Sequence, residues 1–96
     1  MTTKKEIIKK IEKEKEKLKK VKVKKIGLFG SYVKGNPREN SDIDFIIEFK
    51  EINADNYFSV LFLLQKMFNK KIDLVIESDL KPELKYVLGE TEYAKI

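Results

Sequence analysis

Three short apolar segments constrain how this 96-residue chain can fold. They span residues 21–29 (VKVKKIGLF), 42–49 (DIDFIIEF) and 71–76 (KIDLVI), and more polar stretches separate them. Their length and their content of Val, Ile and Phe are typical of β-strands. The segment 52–70 between the last two is long enough for a helix that connects parallel strands. The sequence therefore predicts one small α/β (α+β) domain.

Amphipathic spacing predicts a helix near residues 3–20, before the first strand. Thr3 and Glu6 have the spacing of a capping box, which marks a helix start. Apolar residues recur at helical spacing after them, but Glu14 and Lys15 interrupt the apolar face.

Further helical segments are predicted between and after the strands. A helix is expected at about 55–69 with Asp55 as its cap. Its inner face would consist of Tyr57, Val60, Leu61, Leu64 and Phe68. Pro82 and Gly89 are placed to begin and end a short helix, and a single helical turn is expected at 31–35.

The positive charge of the chain is concentrated at its beginning. We divide the domain into a Lys/Glu-rich N-terminal helix (1–20), a catalytic core (21–88) and a tail (89–96) whose conformation the sequence leaves open. Residues 1–25 carry twelve Lys and four Glu, although the net charge of the whole chain is only +5. A Lys-rich helix can contact nucleic acid or an acidic partner. We favour the alternative of a solvated helix laced with Glu–Lys pairs.

Cys and His are both absent from the sequence. This excludes disulfides, thiolate and imidazole metal sites, cysteine nucleophiles and serine triads that use His as the base. Metal or acid–base chemistry must therefore come from carboxylates, assisted by Lys, Tyr and hydroxyl groups. Carboxylates are hard oxygen ligands that suit Mg²⁺, Mn²⁺ or Ca²⁺.

The sequence contains no membrane signal. No apolar run approaches the roughly 20 residues of a transmembrane helix. The Lys/Glu-rich beginning lacks the apolar stretch of a signal peptide. We therefore expect a cytoplasmic protein with no membrane partner.

Three aspartates lie in the predicted strands at positions suited to metal binding. Asp42 and Asp44 point to the same face because side chains alternate along a strand, while Ile43 points to the core. Two adjacent carboxylates repel each other unless a cation lies between them. Asp73 lies in an otherwise apolar strand, where a charge is costly unless it is paired, exposed or bound to metal. If the two strands are neighbours, the three carboxylates can hold two metal ions roughly 3.5–4 Å apart, as in-line displacement at phosphorus requires.

Gly30 and Ser31 follow the first strand directly and are suited to phosphate binding. Glycine lets the backbone approach a phosphate closely, and a helical turn that starts there directs free N–H groups at an anion. Lys34 and Arg38, in the loop that follows, are further candidates for contacts with nucleotide phosphates. A lone Gly-Ser pair is more often a simple turn. Its combination with three strand-borne aspartates indicates a catalytic site.

Residues 28–47 (LFGSYVKGNPRENSDIDFII) carry the pattern apolar-Gly-Ser, ten residues, Asp-apolar-Asp-apolar. This pattern resembles the signature of the DNA polymerase β-like nucleotidyltransferase superfamily. The short chain looks like the minimal nucleotidyltransferases of prokaryotes, and the resemblance covers residues 20–88. It implies a small mixed β-sheet with helices packed mainly on one face.

The resemblance also implies a role for each site residue. Asp42 and Asp44 match the metal-binding pair of the family. Asp73 matches the third carboxylate, which also helps to activate the acceptor hydroxyl. Gly30 and Ser31 match the contacts with the nucleotide phosphates. The implied reaction moves a nucleoside monophosphate from ATP or another NTP to an acceptor, with Mg²⁺ as the cofactor, and Mn²⁺ as a substitute.

Minimal members of the family often pair with a helical HEPN-domain protein as antitoxin and toxin, and they transfer AMP to a tyrosine of the toxin. The resemblance therefore implies an antitoxin that adenylylates a HEPN toxin. Larger members carry extra domains that grip nucleic acid, so a partner protein is the expected acceptor rather than nucleic acid. Two alternatives remain open. One is a non-catalytic antitoxin that neutralises its partner by contact, and the other is a transferase for a small molecule of the aminoglycoside type.

Overall fold

The computed structural model describes residues 3–35 and 42–96. The helices are α1 (Lys4–Lys13), α2 (Lys15–Lys20), α3 (Ser31–Lys34), α4 (Ala54–Phe68) and α5 (Val87–Glu90). The strands are β1 (Val23–Phe29), β2 (Ile43–Phe49), β3 (Ile72–Ile76) and β4 (Glu92–Tyr93). Two 3₁₀ turns, Glu77–Asp79 and Pro82–Leu84, lie between β3 and α5. The three predicted strands are present, and the predicted α/β class is confirmed.

The N-terminal helix begins where the sequence indicates but is broken in the middle. The Thr3 hydroxyl accepts a hydrogen bond from the backbone N–H of Glu6 at 3.3 Å, which caps α1. Glu14 then leaves the helical conformation, with φ −99° and ψ 16°. No apolar residue lies between Ile11 and Leu18 to hold a continuous face against the sheet. Each of the two helices therefore buries its own apolar residues, and the prediction of one helix over 3–20 is wrong at Glu14.

The described residues form a four-stranded mixed sheet with the strand order β3-β2-β1-β4. β1 runs antiparallel to β2 and to β4, whereas β2 and β3 are parallel. Helix α4 lies between the two parallel strands in the sequence and provides the crossover that a parallel pair requires. The mixed sheet that the resemblance implies is thus confirmed.

One face of the sheet carries the hydrophobic core. Helices α1, α2 and α4 pack there against alternate residues of β1, β2 and β3. The side chains with essentially no exposure in this cluster are Ile7, Ile11, Leu18, Ile26, Leu28, Ile43, Phe45, Ile47, Val60 and Leu64. Because side chains alternate along a strand, Asp44 lies on the opposite face, away from these helices. None of the helices in the described part of the chain is both long and apolar enough to cross a membrane.

Helix α4 has a different cap from the predicted one. The Asn53 side-chain oxygen accepts a hydrogen bond from the backbone N–H of Asn56 at 2.8 Å, so Asn53 is the cap. Asp55 lies in the first turn, where its charge is favourable to the helix dipole. The predicted cap, Asp55, is wrong because Asn and Asp cap helices about equally well, and residue type alone does not favour one over the other. The predicted inner face packs on the core as expected: Tyr57, Val60, Leu61, Leu64 and Phe68.

The predicted helix between Pro82 and Gly89 is wrong in its extent. Pro82 begins a 3₁₀ turn, and Gly89 lies inside α5 instead of after its end. Residues 81–86 are exposed, so no buried apolar side chain stabilises a longer helix there. The tail, whose conformation the sequence left open, adds β4 beside Gly27. A side chain on Gly27 would collide with the ring of Tyr93, so this glycine permits the close approach of the tail.

The lysine-rich helices α1 and α2 contain few internal ion pairs. Among the described residues, the one Lys–Glu pair within these helices and the residue that joins them is Lys17–Glu14, at 3.1 Å. Lys4 pairs with Glu92 of β4 at 3.5 Å and so connects the first helix to the tail. The interpretation of this segment as a helix laced with Glu–Lys pairs therefore has only sparse support.

Truncation of Leu64 to alanine is expected to lower the free energy of unfolding by about 2–5 kcal/mol, because it leaves a cavity in the core. Leu64 is fully buried on the inner face of α4. Gln65→Ala is the matched control, since Gln65 is exposed on the same helix and its change should stay within about 0.5 kcal/mol. Urea unfolding measures both values. Equal losses in the two variants would contradict the packing of α4 on the sheet.

Candidate active site

The parallel pairing of β2 and β3 places two aspartates side by side. Asp44 and Asp73 are direct neighbours across the two strands, and Phe29 of β1 pairs with Asp44 on the other side. These residues lie on the sheet face opposite the core helices. Asp73 is exposed, although Ile72 and Leu74 on either side of it are buried. The structure thus brings the carboxylates of β2 and β3 together, as the sequence predicts for neighbouring strands.

The Asp44 carboxyl is partly buried among like charges. Burial contributes most to raising its pKa from the ordinary 3.8 to about 6. The charges of Asp73 and Asp42, and a hydrogen bond with Asp73, raise this pKa further. A hydrogen bond between two carboxyl groups requires that one of them carries a proton. A divalent cation can replace that proton, because it relieves the same repulsion between the carboxylates.

Asp42 stands immediately before β2, and its charge acts on Asp44. Within residues 3–35 and 42–96, no group of three or more acidic side chains stands close enough to form a metal site as it is. The predicted trio is therefore present as an Asp44–Asp73 pair with Asp42 beside it, and its hard oxygen donors fit Mg²⁺ or Mn²⁺.

Gly30 forms a wall of the site next to Asp44. Its φ of 77° and ψ of −149° lie in a region that is essentially restricted to glycine. A Cβ atom at this position would overlap the Asp44 carboxylate. The sequence predicts that Gly30 permits close approach of a phosphate, and the structure adds that Gly30 also leaves room for Asp44.

Ser31 begins the four-residue helix α3 directly after Gly30. The carbonyl of Gly30 accepts hydrogen bonds from the backbone N–H groups of Val33 and Lys34, both at 3.1 Å. No side chain in the described residues caps the start of α3. The first backbone N–H groups of the turn and the Ser31 hydroxyl therefore lie next to the aspartates with donors to offer an anion.

Of the two basic candidates, Lys34 lies within the described residues and Arg38 lies outside them. Lys34 is the exposed last residue of α3, at the opposite end of that helix from Gly30. None of the ion pairs among the described residues joins Lys34 to an aspartate of the site. A phosphate contact through either residue remains a prediction from the sequence.

Tyr57 makes a contact beside Asp73 that sequence reasoning missed. Its hydroxyl donates a hydrogen bond to the backbone carbonyl of Leu74 at 2.7 Å. Burial raises the pKa of the Tyr57 phenol, and the charge of Asp73 raises it further, so the two groups lie within electrostatic range. Helical spacing identified Tyr57 as an inner-face residue, but a bond to a carbonyl 17 residues away has no local signal.

The arrangement is suited to displacement at phosphorus. Its carboxylates offer hard oxygen ligands to a divalent cation, and the Gly30 backbone lets a phosphate approach the same place. A cation held between carboxylates and phosphate oxygens neutralises the charge that develops during such a displacement. These features lie on the sheet face that the core helices leave uncovered, and Asp73 is exposed there.

Comparisons with known proteins agree with this chemistry. The chain matches the family model described as Polymerase beta, Nucleotidyltransferase over residues 5–91. A protein of Thermococcus cleftensis, named Protein adenylyltransferase MntA, is 38% identical over 73 residues, which cover 74% of each chain. The match thus spans both the aspartate-bearing strands and the Gly-Ser turn.

Solved structures show a similar fold. A toxin–antitoxin structure with AMP-PNP aligns with a TM-score of 0.66 and 24% identity, covering 85% of this chain and 70% of that one. A structure of the tri-AMPylated Shewanella oneidensis HEPN toxin in complex with MNT antitoxin aligns with a TM-score of 0.61 and 21% identity, covering 90% and 70%. At these identities the likeness establishes the shared fold.

Gly30→Ala is expected to weaken binding of Mg²⁺·ATP at least tenfold, because the added Cβ displaces the Asp44 carboxylate. Gly35→Ala is the matched control. Gly35 also has a positive φ, of 80°, but a Cβ there meets no atom within 4 Å among the described residues. Gly35→Ala should lose about 1–2 kcal/mol of stability because its left-handed helical conformation is unfavourable for alanine. Gly30→Ala should lose about 1–3 kcal/mol because its backbone conformation is essentially restricted to glycine. Calorimetric titration separates crowding from strain, and equal affinity losses in both variants would contradict the role given to the Gly30–Asp44 contact.

The metal-free protein is expected to lose stability as the pH rises from about 4 to about 6. Asp44 ionises near 3.8 in the unfolded chain, whereas its pKa is about 6 in the folded chain. Between these values the unfolded state gives up the proton and the folded state keeps it, so a rise in pH favours unfolding. The melting temperature, measured in EDTA, should fall more between pH 4.5 and pH 7 for the wild type than for Asp44→Asn. An equal fall in both proteins would show that folding does not disfavour the ionised form of Asp44.

Proposed function

Because this chain belongs to the polymerase β nucleotidyltransferase family, we propose that it is a protein adenylyltransferase that moves AMP from ATP to a partner protein. The observation that carries the proposal is the Asp44–Asp73 pair beside Gly30 on an uncovered sheet face. The name of the Thermococcus cleftensis relative supports the choice of AMP and of a protein acceptor.

The proposed partner is a HEPN toxin, and the chain is proposed to act as its antitoxin. This part rests on the Shewanella oneidensis complex, in which a HEPN toxin carries AMP groups beside an MNT antitoxin. The toxin–antitoxin structure with AMP-PNP, an analogue of ATP, supports ATP as the donor. A tyrosine hydroxyl of the toxin is the acceptor we propose. The protein would then act in the cytoplasm, because the transfer draws on the cytoplasmic pool of ATP.

Each site residue has a role in this proposal. Asp42, Asp44 and Asp73 would hold Mg²⁺, most simply as two ions, and Mn²⁺ can replace it. The bound cation supplies charge neutralisation for the phosphate oxygens and for the attacking oxygen. Backbone N–H groups that follow Gly30 and the hydroxyl of Ser31 would donate hydrogen bonds to the phosphates.

The transfer itself is an in-line displacement. The acceptor oxygen forms a bond to the α-phosphorus of ATP, the bond from that phosphorus to the bridging oxygen breaks, and pyrophosphate leaves. Asp73, on the edge strand, orients the acceptor hydroxyl and takes up its proton. Lys34 and Arg38 are proposed to balance the charge of the phosphate chain.

A second candidate is an antitoxin that neutralises its partner by contact alone. The observation that favours it is the spacing of the carboxylates, since the described residues hold no ready-formed group of three acidic ligands. It differs from the first proposal in needing neither ATP nor the aspartates.

Incubation with a HEPN toxin, ATP and Mg²⁺ is expected to add one or more AMP units to the toxin, as read by intact-mass spectrometry. Asp42→Asn and Asp44→Asn should each lower the rate roughly 100-fold or more, because stabilisation of the transferring phosphate is lost. Asp79→Asn is the matched control, since it removes an exposed carboxylate outside the site and should leave the rate unchanged. Neutralisation that persists in the two site variants without ATP would favour the contact-only antitoxin instead.

A further inference from the structure

Tyr57 connects the first turn of α4 to the strand that carries Asp73. Its hydroxyl donates a hydrogen bond of 2.7 Å to the carbonyl of Leu74, the residue that follows Asp73 directly. The bond is partly buried, so water competes with it less than at the surface. A change at Tyr57 is therefore transmitted to the backbone that bears the Asp73 carboxylate.

The Leu74 carbonyl lies on the outer side of β3, where the described sheet ends. The backbone N–H of Ile43 donates to the carbonyl of Lys71 at 3.1 Å, which fixes the hydrogen-bonding phase of the parallel pair. Alternate residues of a parallel strand direct their backbone groups to the same side. Lys71 and Asp73 therefore bond towards β2, whereas Leu74 faces the free edge. Tyr57 thus bonds to the outer edge of β3, where no described strand pairs with it.

The start of α4 is itself held firmly. The side-chain oxygen of Asn53 accepts from the backbone N–H of Asn56 at 2.8 Å, and the Asn56 amide donates to the carbonyl of Glu51 at 3.1 Å. The backbone N–H of Tyr57 donates to the carbonyl of Asn53 at 3.1 Å. The Tyr57 phenol therefore projects from an anchored turn and not from a fraying helix end.

We infer that Tyr57 is a positioning residue, which holds the edge strand so that the Asp73 carboxylate stays beside Asp44. The inference rests on the proposed function, because it gives Asp73 a role in metal and acceptor binding. Asp44 and Asp73 repel each other when both are ionised. An edge strand can yield to that repulsion by moving outward. The Tyr57–Leu74 hydrogen bond opposes that movement, although Tyr57 touches neither nucleotide nor metal in this scheme.

Tyr57→Phe tests the inference with the loss of a single hydroxyl. The expected result is a kcat for AMP transfer about tenfold lower, with the KM for ATP within twofold of the wild type. The reason for the split is that Gly30, Ser31, Asp42 and Asp44 still bind the nucleotide. Tyr93→Phe is the matched control, because it removes a hydroxyl that donates to Glu77 at 3.4 Å, away from the aspartates. Its kcat should be unchanged.

Calorimetric titration of the metal-free proteins with Mn²⁺ provides a readout that does not depend on the acceptor. Tyr57→Phe should weaken Mn²⁺ binding at least threefold in the wild-type background and have no further effect in an Asp73→Asn background. A purely structural Tyr57 would lower the melting temperature and leave the Mn²⁺ affinity unchanged, which would overturn the inference.

The set of variants also separates the two proposals. If Asp73→Asn abolishes transfer and Tyr57→Phe retains the wild-type kcat and Mn²⁺ affinity, the positioning role is wrong and the proposed function stands. If Asp73→Asn itself retains full transfer and full Mn²⁺ affinity, the role proposed for Asp73 is wrong, and the positioning role with it. Additive effects of Tyr57→Phe and Asp73→Asn on Mn²⁺ affinity would likewise contradict the inference.

Discussion

Repulsion between two carboxylates on adjacent parallel strands is the constraint on which the site depends. The register of β2 and β3 sets Asp44 directly against Asp73, and burial raises the pKa of Asp44 to about 6 together with that neighbouring charge. A fold selected for stability alone would not place two acids there. A divalent cation would explain this cost, because the two carboxylates that destabilise the metal-free protein become ligands of the cation.

The sheet separates the tasks of stability and chemistry by its two faces. Alternate side chains of β2 supply Ile43, Phe45 and Ile47 to the core and leave Asp44 on the other side. Helix α4 serves both tasks. It buries apolar residues against the core face, and through Tyr57 it reaches the outer edge of the strand that bears the second aspartate. The crossover that makes β3 parallel to β2 therefore also supports the pairing of their carboxylates.

The features that the sequence could predict are local ones. Segment length and the content of Val, Ile and Phe marked the strands, and the Gly-Ser and Asp-x-Asp patterns marked Gly30 and Asp44. The register that sets Asp73 opposite Asp44, and not one residue away, depends on the whole β-α-β unit and has no local signal. The same holds for the hydrogen bond of Tyr57 across 17 residues. The cap of α4 was misassigned to a residue two positions from Asn53, because neighbouring Asn and Asp compete for the same role.

The overlap between Gly30 and Asp44 has a consequence for the way such a protein can diverge. The two residues stand fourteen positions apart in the chain, yet a side chain on the first would occupy the place of the second. Any lineage that replaced the glycine would have to relocate the acid or abandon it, whereas a lineage that had lost the acid would face only the unfavourable backbone conformation at the first position. Loss of the acid is therefore expected to precede replacement of the glycine. A descendant with alanine at the first position indicates that the acid no longer serves the reaction.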